Sequence, residues 1–340
     1  MQLTISVAMC TFQGARFVQE QLDSFSAQTR LPDECIICDD GSHDGTREIL
    51  KSYARTAPFD CRIEENPNNL GTTANFEKAI SLCKGEIIAL ADQDDIWLSQ
   101  KLKRIEERFL ACPSLLAVFS DGVLMSEISE PLPGGLWRSH TFDAFKQRAF
   151  VANAFDVLLR RPFVTGAAFA FRNDYRDLIL PIPKKQIHDY WISLLLSACG
   201  KIDLIHEPLI RYRWHSSQQL GLPKPMSLRE KFSRVCEYVG DSYYPEIERY
   251  EEWKERLSNR GARFSASPNA MRKLSDQIDH RRTRAKLPHS FLDRYPIIAR
   301  EATNRNYWRY SSGWKSIGKD LFLLADNHKR RAGSKNNTAS

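Results

Sequence analysis

Ala91-Asp92-Gln93-Asp94-Asp95-Ile96-Trp97 places three carboxylates within four residues. The apolar run Glu86–Ala91 before it reads as a buried strand, so the acidic turn leaves that strand's carboxyl end. Crowded carboxylates raise one another's pKa. Two of them two residues apart on such a turn can reach one cation, and hard oxygen ligands suit Mg²⁺ or Mn²⁺. A cation held there with open positions would stabilise a leaving diphosphate. The competing reading is an ordinary turn, because Asp is common after strands and at helix N-caps.

Working outward, strand and helix patterns alternate. Thr4–Cys10 reads as a strand and Ala15–Gln28 as a helix, with Val18, Leu22 and Phe25 at helical spacing. Glu34–Cys38 is a second strand, ending in Asp39-Asp40-Gly41-Ser42. Asp44-Gly45-Thr46 opens a helix with Ile49, Leu50 and Tyr53 inside. A third helix carries Phe76, Ile80 and Cys83, with Gly85 as its C-cap. After the acidic turn comes a helix with Leu98, Leu102, Ile105 and Phe109 inward, then strand Leu115–Ser120. This alternation predicts an α/β fold with a parallel sheet and helices on both faces. Ligands of such sheets bind at strand carboxyl ends, so Asp39-Asp40 and Asp92–Asp95 should line one rim.

Residues 126–162 read as irregular, with Pro131, Pro133, Gly134 and Gly135. Val164–Phe171 reads as a strand entered by Thr165-Gly166-Ala167. His188–Cys199 reads as a helix, and Lys201–Trp214 as strands broken at Glu207-Pro208. From Met226 the pattern is helical and basic, interrupted near Ser267-Pro268 and Leu287-Pro288. The tail after Arg331 reads as disordered.

The chain has 340 residues and a net charge of +7. Residues 225–340 hold 24 Lys and Arg against 14 Asp and Glu, net +10, and the remainder is net −3. The asymmetry argues for two functional parts. No apolar run is long enough to span a bilayer. The N-terminus has no basic secretory n-region, so a cytoplasmic chain is the expectation. The eight cysteines mostly sit in apolar runs and read as reduced. Cys35 and Cys38 lie three apart on a strand, facing opposite sides, which disfavours a shared metal or disulfide.

Beyond the acidic turn, the order and spacing of ISVAMCTFQGARFVQEQLDSFSAQT, IICDDGSHDGT, NLGTTANFEKAI, LADQDDIW, VTGAAFAF and HDYW…EPLIRYRWH resemble the family 2 glycosyltransferases. The resemblance covers about Ile5 to His215. ADQDDIW, HDYW and YRWH look most similar to bacterial rhamnosyltransferase-like members, which use dTDP-L-rhamnose on surface polysaccharides. It implies the GT-A fold: a mostly parallel central sheet with flanking helices, here followed by a basic helical C-terminal region. It implies a catalytic domain over 1–224, the helical region over 225–331 and the tail over 332–340.

By the same resemblance Thr11, Asp39 and Asp40 contact the donor nucleotide. Asp92 and Asp94 order the metal and diphosphate, and His215 completes that site. Asp95 supports the donor sugar or caps the next helix. Gly166, in Thr165-Gly166-Ala167, lies between donor sugar and acceptor. Asp189 is the catalytic base, and His188 and Trp191 are acceptor-side candidates. An inverting transfer needs one such base and no nucleophilic carboxylate. Asp189 also fits a first-turn helix residue, His215 a structural histidine, and Trp97 and Trp191 core aromatics.

The partners implied are a nucleotide-sugar donor and a polysaccharide or lipid-linked saccharide acceptor. In 314–325, Trp314, Ile317, Leu321 and Leu324 repeat at helical spacing beside Lys315 and Lys319. That stripe suits peripheral contact with an anionic membrane, or packing of a helix with a solvated basic face. No nucleic-acid motif is present. A phosphotransferase with a DxD nucleophile would carry it after the first strand, where Met9-Cys10-Thr11 stands. A dinucleotide oxidoreductase would carry GxGxxG there. A carbohydrate- or nucleotide-binding module without catalysis has no use for Asp189.

Overall fold

The computed structural model describes residues 2–215, 243–288 and 290–322. Cys236, Leu324 and the tail after Arg331 lie outside the described residues. Of the described residues, 2–215 and 260–266 form one compact unit, and 243–259 with 267–322 a second.

Strand β1 (Ile5–Thr11) is buried at every position. A strand covered on both faces reads as one continuous apolar run. It is followed by α1 (Val18–Ser26), β2 (Glu34–Asp39), α2 (Thr46–Ala54), β3 (Asp60–Glu65), α3 (Thr72–Leu82) and β4 (Ile87–Ala91). β1 pairs in parallel with both β2 and β4, and β2 with β3. The first four strands thus form the expected parallel sheet. β3 had no counterpart in the sequence reading. Its DCRIEE is charged and half exposed, as suits an edge strand.

Beyond β4 the sheet is mixed. The next elements are β5 (Ile96–Trp97), α4 (Lys101–Ala111), β6 (Leu115–Met125), β7 (Pro131–Gly135), α5 (Leu136–Ser139), α6 (Ala144–Ala152), α7 (Ala154–Leu158), β8 (Phe169–Arg172), α8 (Arg176–Ile179), α9 (His188–Cys199) and β9 (Lys201–Arg213). The strand order is β3-β2-β1-β4-β8-β6-β9-β5, with β7 on β6. β8 runs antiparallel to β4 and to β6, whereas β6 and β9 are parallel.

Several boundaries differ from expectation. The helix after the acidic turn starts at Lys101, not at Leu98. Ile96–Trp97 instead pairs antiparallel with β9, and Leu98 N donates to Leu209 O at 3.0 Å. Residues 126–162 are not irregular. Asp143 caps α6 and Asn153 caps α7, while Phe119, Trp137, Phe142 and Phe150 pack edge to face around them. The strand expected from Val164 begins at Phe169, because Gly166–Ala168 forms a 3₁₀ turn. Lys201–Arg213 is one strand, and its register with β6 slips at Pro208. Proline cannot donate to the ladder there, and a bulge absorbs it.

Gly85 is not a helix cap. α3 ends at Leu82 with Cys83 extended. Gly85 is required by close approach: a Cβ there would sit 2.7 Å from Ser6 N, and Gly85 N donates to Ser6 Oγ at 2.7 Å. The seven described cysteines are free thiols.

The second unit holds helices Tyr243–Arg260, Pro268–Ala285, Phe291–Thr303, Asn306–Tyr310 and Trp314–Phe322. Pro268 stands at the first turn of its helix, where a missing N–H costs nothing. Leu287, Ile298, Tyr307 and Ile317 form its apolar cluster, with Leu321 packed against it. Beside them Arg284 makes two bonds to Asp320, at 2.6 and 3.0 Å, and Tyr307 Oη donates to Asp320 at 2.7 Å. Of the described stripe, Ile317 and Leu321 pack in this core, as the helix-packing reading expects, while Trp314 is exposed. No described helix is long and apolar enough to cross a membrane.

Gly85→Ala is expected to lower unfolding stability by about 1–3 kcal/mol through overpacking against β1, measured by urea denaturation. An unchanged midpoint would contradict the close approach.

Candidate active site

The parallel register sets three strand ends side by side. Thr11 closes β1 opposite Asp39 of β2, and Ala91 closes β4 opposite Met9. Asp39-Asp40 and Asp92–Asp95 therefore leave the sheet along one edge, as the sequence suggested.

The Asp39-Asp40 side is mainly a set of loop fasteners. Asp39 is fully buried and accepts from Thr11 Oγ1 (2.9 Å), Ser42 N (2.9 Å), Ser42 Oγ (2.6 Å) and Arg47 Nε (3.0 Å). Burial alone would raise its pKa, but the bonds from Ser42, Arg47 and Thr11 hold it below the ordinary value. Asp40 Oδ1 accepts from Asn66 Nδ2 (3.0 Å) and Leu70 N (2.7 Å), and Oδ2 from Gly71 N (2.9 Å). That pins the loop entering α3. Asp40 itself is buried.

The acidic turn divides its residues between two jobs. Gln93 exchanges two bonds with the Phe12 backbone, at 2.8 and 2.9 Å, which ties the turn to the loop after β1. A side chain at Gly14 would land on that amide. Asp95 is fully buried. Its Oδ1 accepts from Arg213 N at 3.0 Å, and its Oδ2 has no hydrogen-bond partner among the described residues. Burial, then the Asp94 and Asp92 charges, drive its pKa well above the ordinary range. This corrects the expectation for Asp95: it neither reaches a donor sugar nor caps a helix, but docks the end of β9.

Asp92 and Asp94 are the accessible pair. Asp94 Oδ2 lies 2.8 Å from His215 Nε2, and the His215 ring rests 4.9 Å from that of Phe17. The Asp92 carboxylate has no hydrogen-bond donor among the described residues. Its pKa is pushed up to about 7 by burial, then by Asp94, then by Asp189. No three His, Cys, Asp or Glu side chains of the described residues stand together at metal-binding distance. The chemistry still fits a hard cation: two carboxylates short of donors, one of them beside an imidazole, in a place that penalises negative charge.

Asp189 lies in the first turn of α9. Its Oδ2 accepts from Gly166 N at 3.0 Å and its Oδ1 from Tyr190 N at 2.6 Å. Its bond to Gly166 sets it beside Ala167, whose carbonyl accepts from Lys101 at the start of the helix that follows the acidic turn, and its charge adds to the rise of the Asp92 pKa. Two acceptor-side expectations do not hold. His188 is buried, stacked on Phe76 at 4.0 Å, its Nε2 beneath Gly166 without a hydrogen-bond partner among the described residues, and burial lowers its pKa. A Cβ at Gly166 would come within 2.9 Å of that nitrogen, so His188 supports the turn from below. Trp191 is fully buried and donates to Ile179 O at 2.8 Å, so it is a core residue and no sugar platform. Trp97 is core as well.

Sequence reasoning missed Arg213. Its fully buried guanidinium donates to Asp94 O (2.7 Å), Glu127 O (3.1 Å), Ser129 Oγ (2.8 Å) and Glu20 Oε2 (3.1 Å). It thereby joins the acidic turn to α1 and to the turn before β7. Arg211, on the same face by strand alternation, is exposed, so the local pattern carries no sign of the burial.

A family model described as glycosyl transferase family 2 matches residues 6–172. An uncharacterised glycosyltransferase of Nostoc sp. is 33% identical over 225 residues, covering 63% of this chain and 66% of that one. An uncharacterised protein of Mycobacterium tuberculosis is 28% identical over 233 residues, 63% of this chain and 61% of that one, so the match spans less than two thirds of that relative. S. aureus TarS 1-349 in complex with UDP-GlcNAc aligns over 96% of this chain and 92% of that chain, with a TM-score of 0.51 and 13% identity. At that identity the likeness establishes the fold alone.

Arg213→Met is expected to cost roughly 2 kcal/mol or more, because carbonyl groups of Asp94 and Glu127 lose charged donors. Thermal unfolding checks it, and an unshifted transition would contradict the hub.

Proposed function

We propose, from the chain's membership of glycosyl transferase family 2 and its GT-A fold, that it is an inverting glycosyltransferase using a nucleotide-sugar donor. The observation that supports this most is the link between Asp189 and the acidic turn. A candidate base and a candidate diphosphate site, far apart in sequence, are joined through the Gly166–Ala168 turn, which bonds Asp189 at Gly166 N and Lys101 of α4 at Ala167 O.

In this reading Asp189 accepts the proton of the acceptor hydroxyl as that oxygen bonds to the anomeric carbon. The bond to the nucleoside diphosphate breaks on the opposite face, so configuration inverts. The Gly166 and Tyr190 amides fix the carboxylate's direction. Asp92 and Asp94 would hold a divalent cation, with His215, bonded to Asp94, moving in to complete the site. When bound, the cation supplies Lewis-acid stabilisation of the departing diphosphate. Thr11, Asp39 and Asp40 shape the nucleotide end.

Residues 1–224 are assigned the catalytic work and 225–331 an accessory helical part. The acceptor is a saccharide hydroxyl, on a polysaccharide or a lipid-linked chain. The donor sugar is rhamnose by resemblance to rhamnosyltransferase-like members, and a UDP-hexose is the other candidate. Lipid contact through the 314–325 stripe is not part of the reading, since Ile317 and Leu321 are occupied in their own unit.

Asp189→Asn separates this reading from a module that only binds. Turnover should fall at least about 100-fold, while donor affinity measured by calorimetry stays unchanged. Full turnover in Asp189→Asn would remove Asp189 from the chemistry.

A further inference from the structure

Lys101 opens α4 directly below the acidic turn and is fully buried. A buried ammonium is costly, and the first turn of a helix is electrostatically the wrong end for it. An apolar side chain would fill that place without the penalty. The lysine is instead held by three features. Its Nζ lies 3.7 Å from the centre of the Trp97 ring. It donates to Ala167 O at 2.5 Å. It is also the cation whose charge opposes the pKa rise of both Asp92 and Asp95. Burial lowers the Lys101 pKa, and the Asp95 and Asp92 charges act against that.

Ala167 belongs to the 3₁₀ turn Gly166–Ala168, the turn whose Gly166 N–H directs Asp189. One contact path therefore runs from Trp97, just after the acidic turn, through Lys101 and Ala167 to Gly166 and Asp189. We infer that Lys101 is a positioning residue: its bond to Ala167 O, with its Nζ braced on the Trp97 ring, holds the turn whose Gly166 N–H places Asp189. This rests on the reading of Asp189 as the base. In that role Lys101 touches neither donor nor acceptor. Its Ala167 bond fixes the turn beside Asp189, and Trp97 fixes the lysine.

The test uses the full chain with Lys101→Met, which keeps length and removes charge and donor. Lys101→Gln removes the charge and keeps an N–H donor. The readouts are donor binding stoichiometry, kcat, donor KM, and the Gly166 amide resonance of glycine-labelled protein. Lys101→Met should bind donor with wild-type stoichiometry and a KM within about threefold. Its kcat should fall at least about tenfold, the loss typical of a displaced reacting group, and the Gly166 resonance should move. Lys101→Gln should show smaller changes of the same kind. Wild-type kcat with an unmoved Gly166 resonance overturns the inference. So does failure of both variants to fold, which would make Lys101 a stability residue. Asp189→Asn in the same assays separates the two claims. Full activity there sinks the base assignment, whereas the Gly166 shift in Lys101→Met reports on the positioning without reference to turnover.

Discussion

Carboxylates gathered at the end of a buried strand repel one another, and this protein distributes that repulsion instead of avoiding it. Asp95 turns into the interior, where burial favours its protonated form. Asp92 and Asp94 are less deeply buried, and the His215 imidazole lies against Asp94. Lys101 ties the start of α4 to Ala167 O, and Arg213 grips the turn's backbone. Everything around the site serves to hold this arrangement still. Gln93 fastens it to the loop after β1, Gln21 donates to Asp92 O at 3.0 Å, and β5 clips it to β9.

The second consequence is mechanical. The same sheet that is parallel through β4 becomes mixed when β8 enters beside it. β8 brings the 3₁₀ turn at Gly166–Ala168, and α9 brings Asp189 to that turn. His188 fills the space beneath Gly166, and only glycine leaves room for it. The acidic turn and the Asp189 turn are thus built from different halves of the domain, yet share Lys101 as a strut.

Much of this was legible in the sequence, for physical reasons. Strands covered on both faces announce themselves as continuous apolar runs, so β1, β2 and β4 and the acidic rim at their ends were readable. The α9 boundaries followed from a long apolar helix between a polar turn and Gly200. What was not readable depended on distant chain. Which of three neighbouring aspartates faces inward is decided by β9 arriving beside β5. Lys101 looks like a solvated first-turn lysine until Ala167 covers it. β3 is too charged to announce a strand, and α6 carries a single buried residue, Phe150, which leaves no helical stripe to detect. In the described part of 314–325 the helical spacing holds, but spacing alone does not say what a stripe meets; Ile317 and Leu321 pack in the unit's own cluster beside the buried Arg284–Asp320 pair.

The central claim is that the Asp92 and Asp94 carboxylates of the acidic turn hold a cation that in turn holds the donor diphosphate. The most direct test is calorimetric titration of a nucleotide-sugar panel into the chain with Mn²⁺, Mg²⁺ or EDTA, repeated with Asp94→Ala. The account predicts one donor class that binds only with metal and whose binding is lost in Asp94→Ala. Donor binding indifferent both to EDTA and to Asp94→Ala would contradict it, and would leave Asp92–Asp95 as an acidic turn with a structural role.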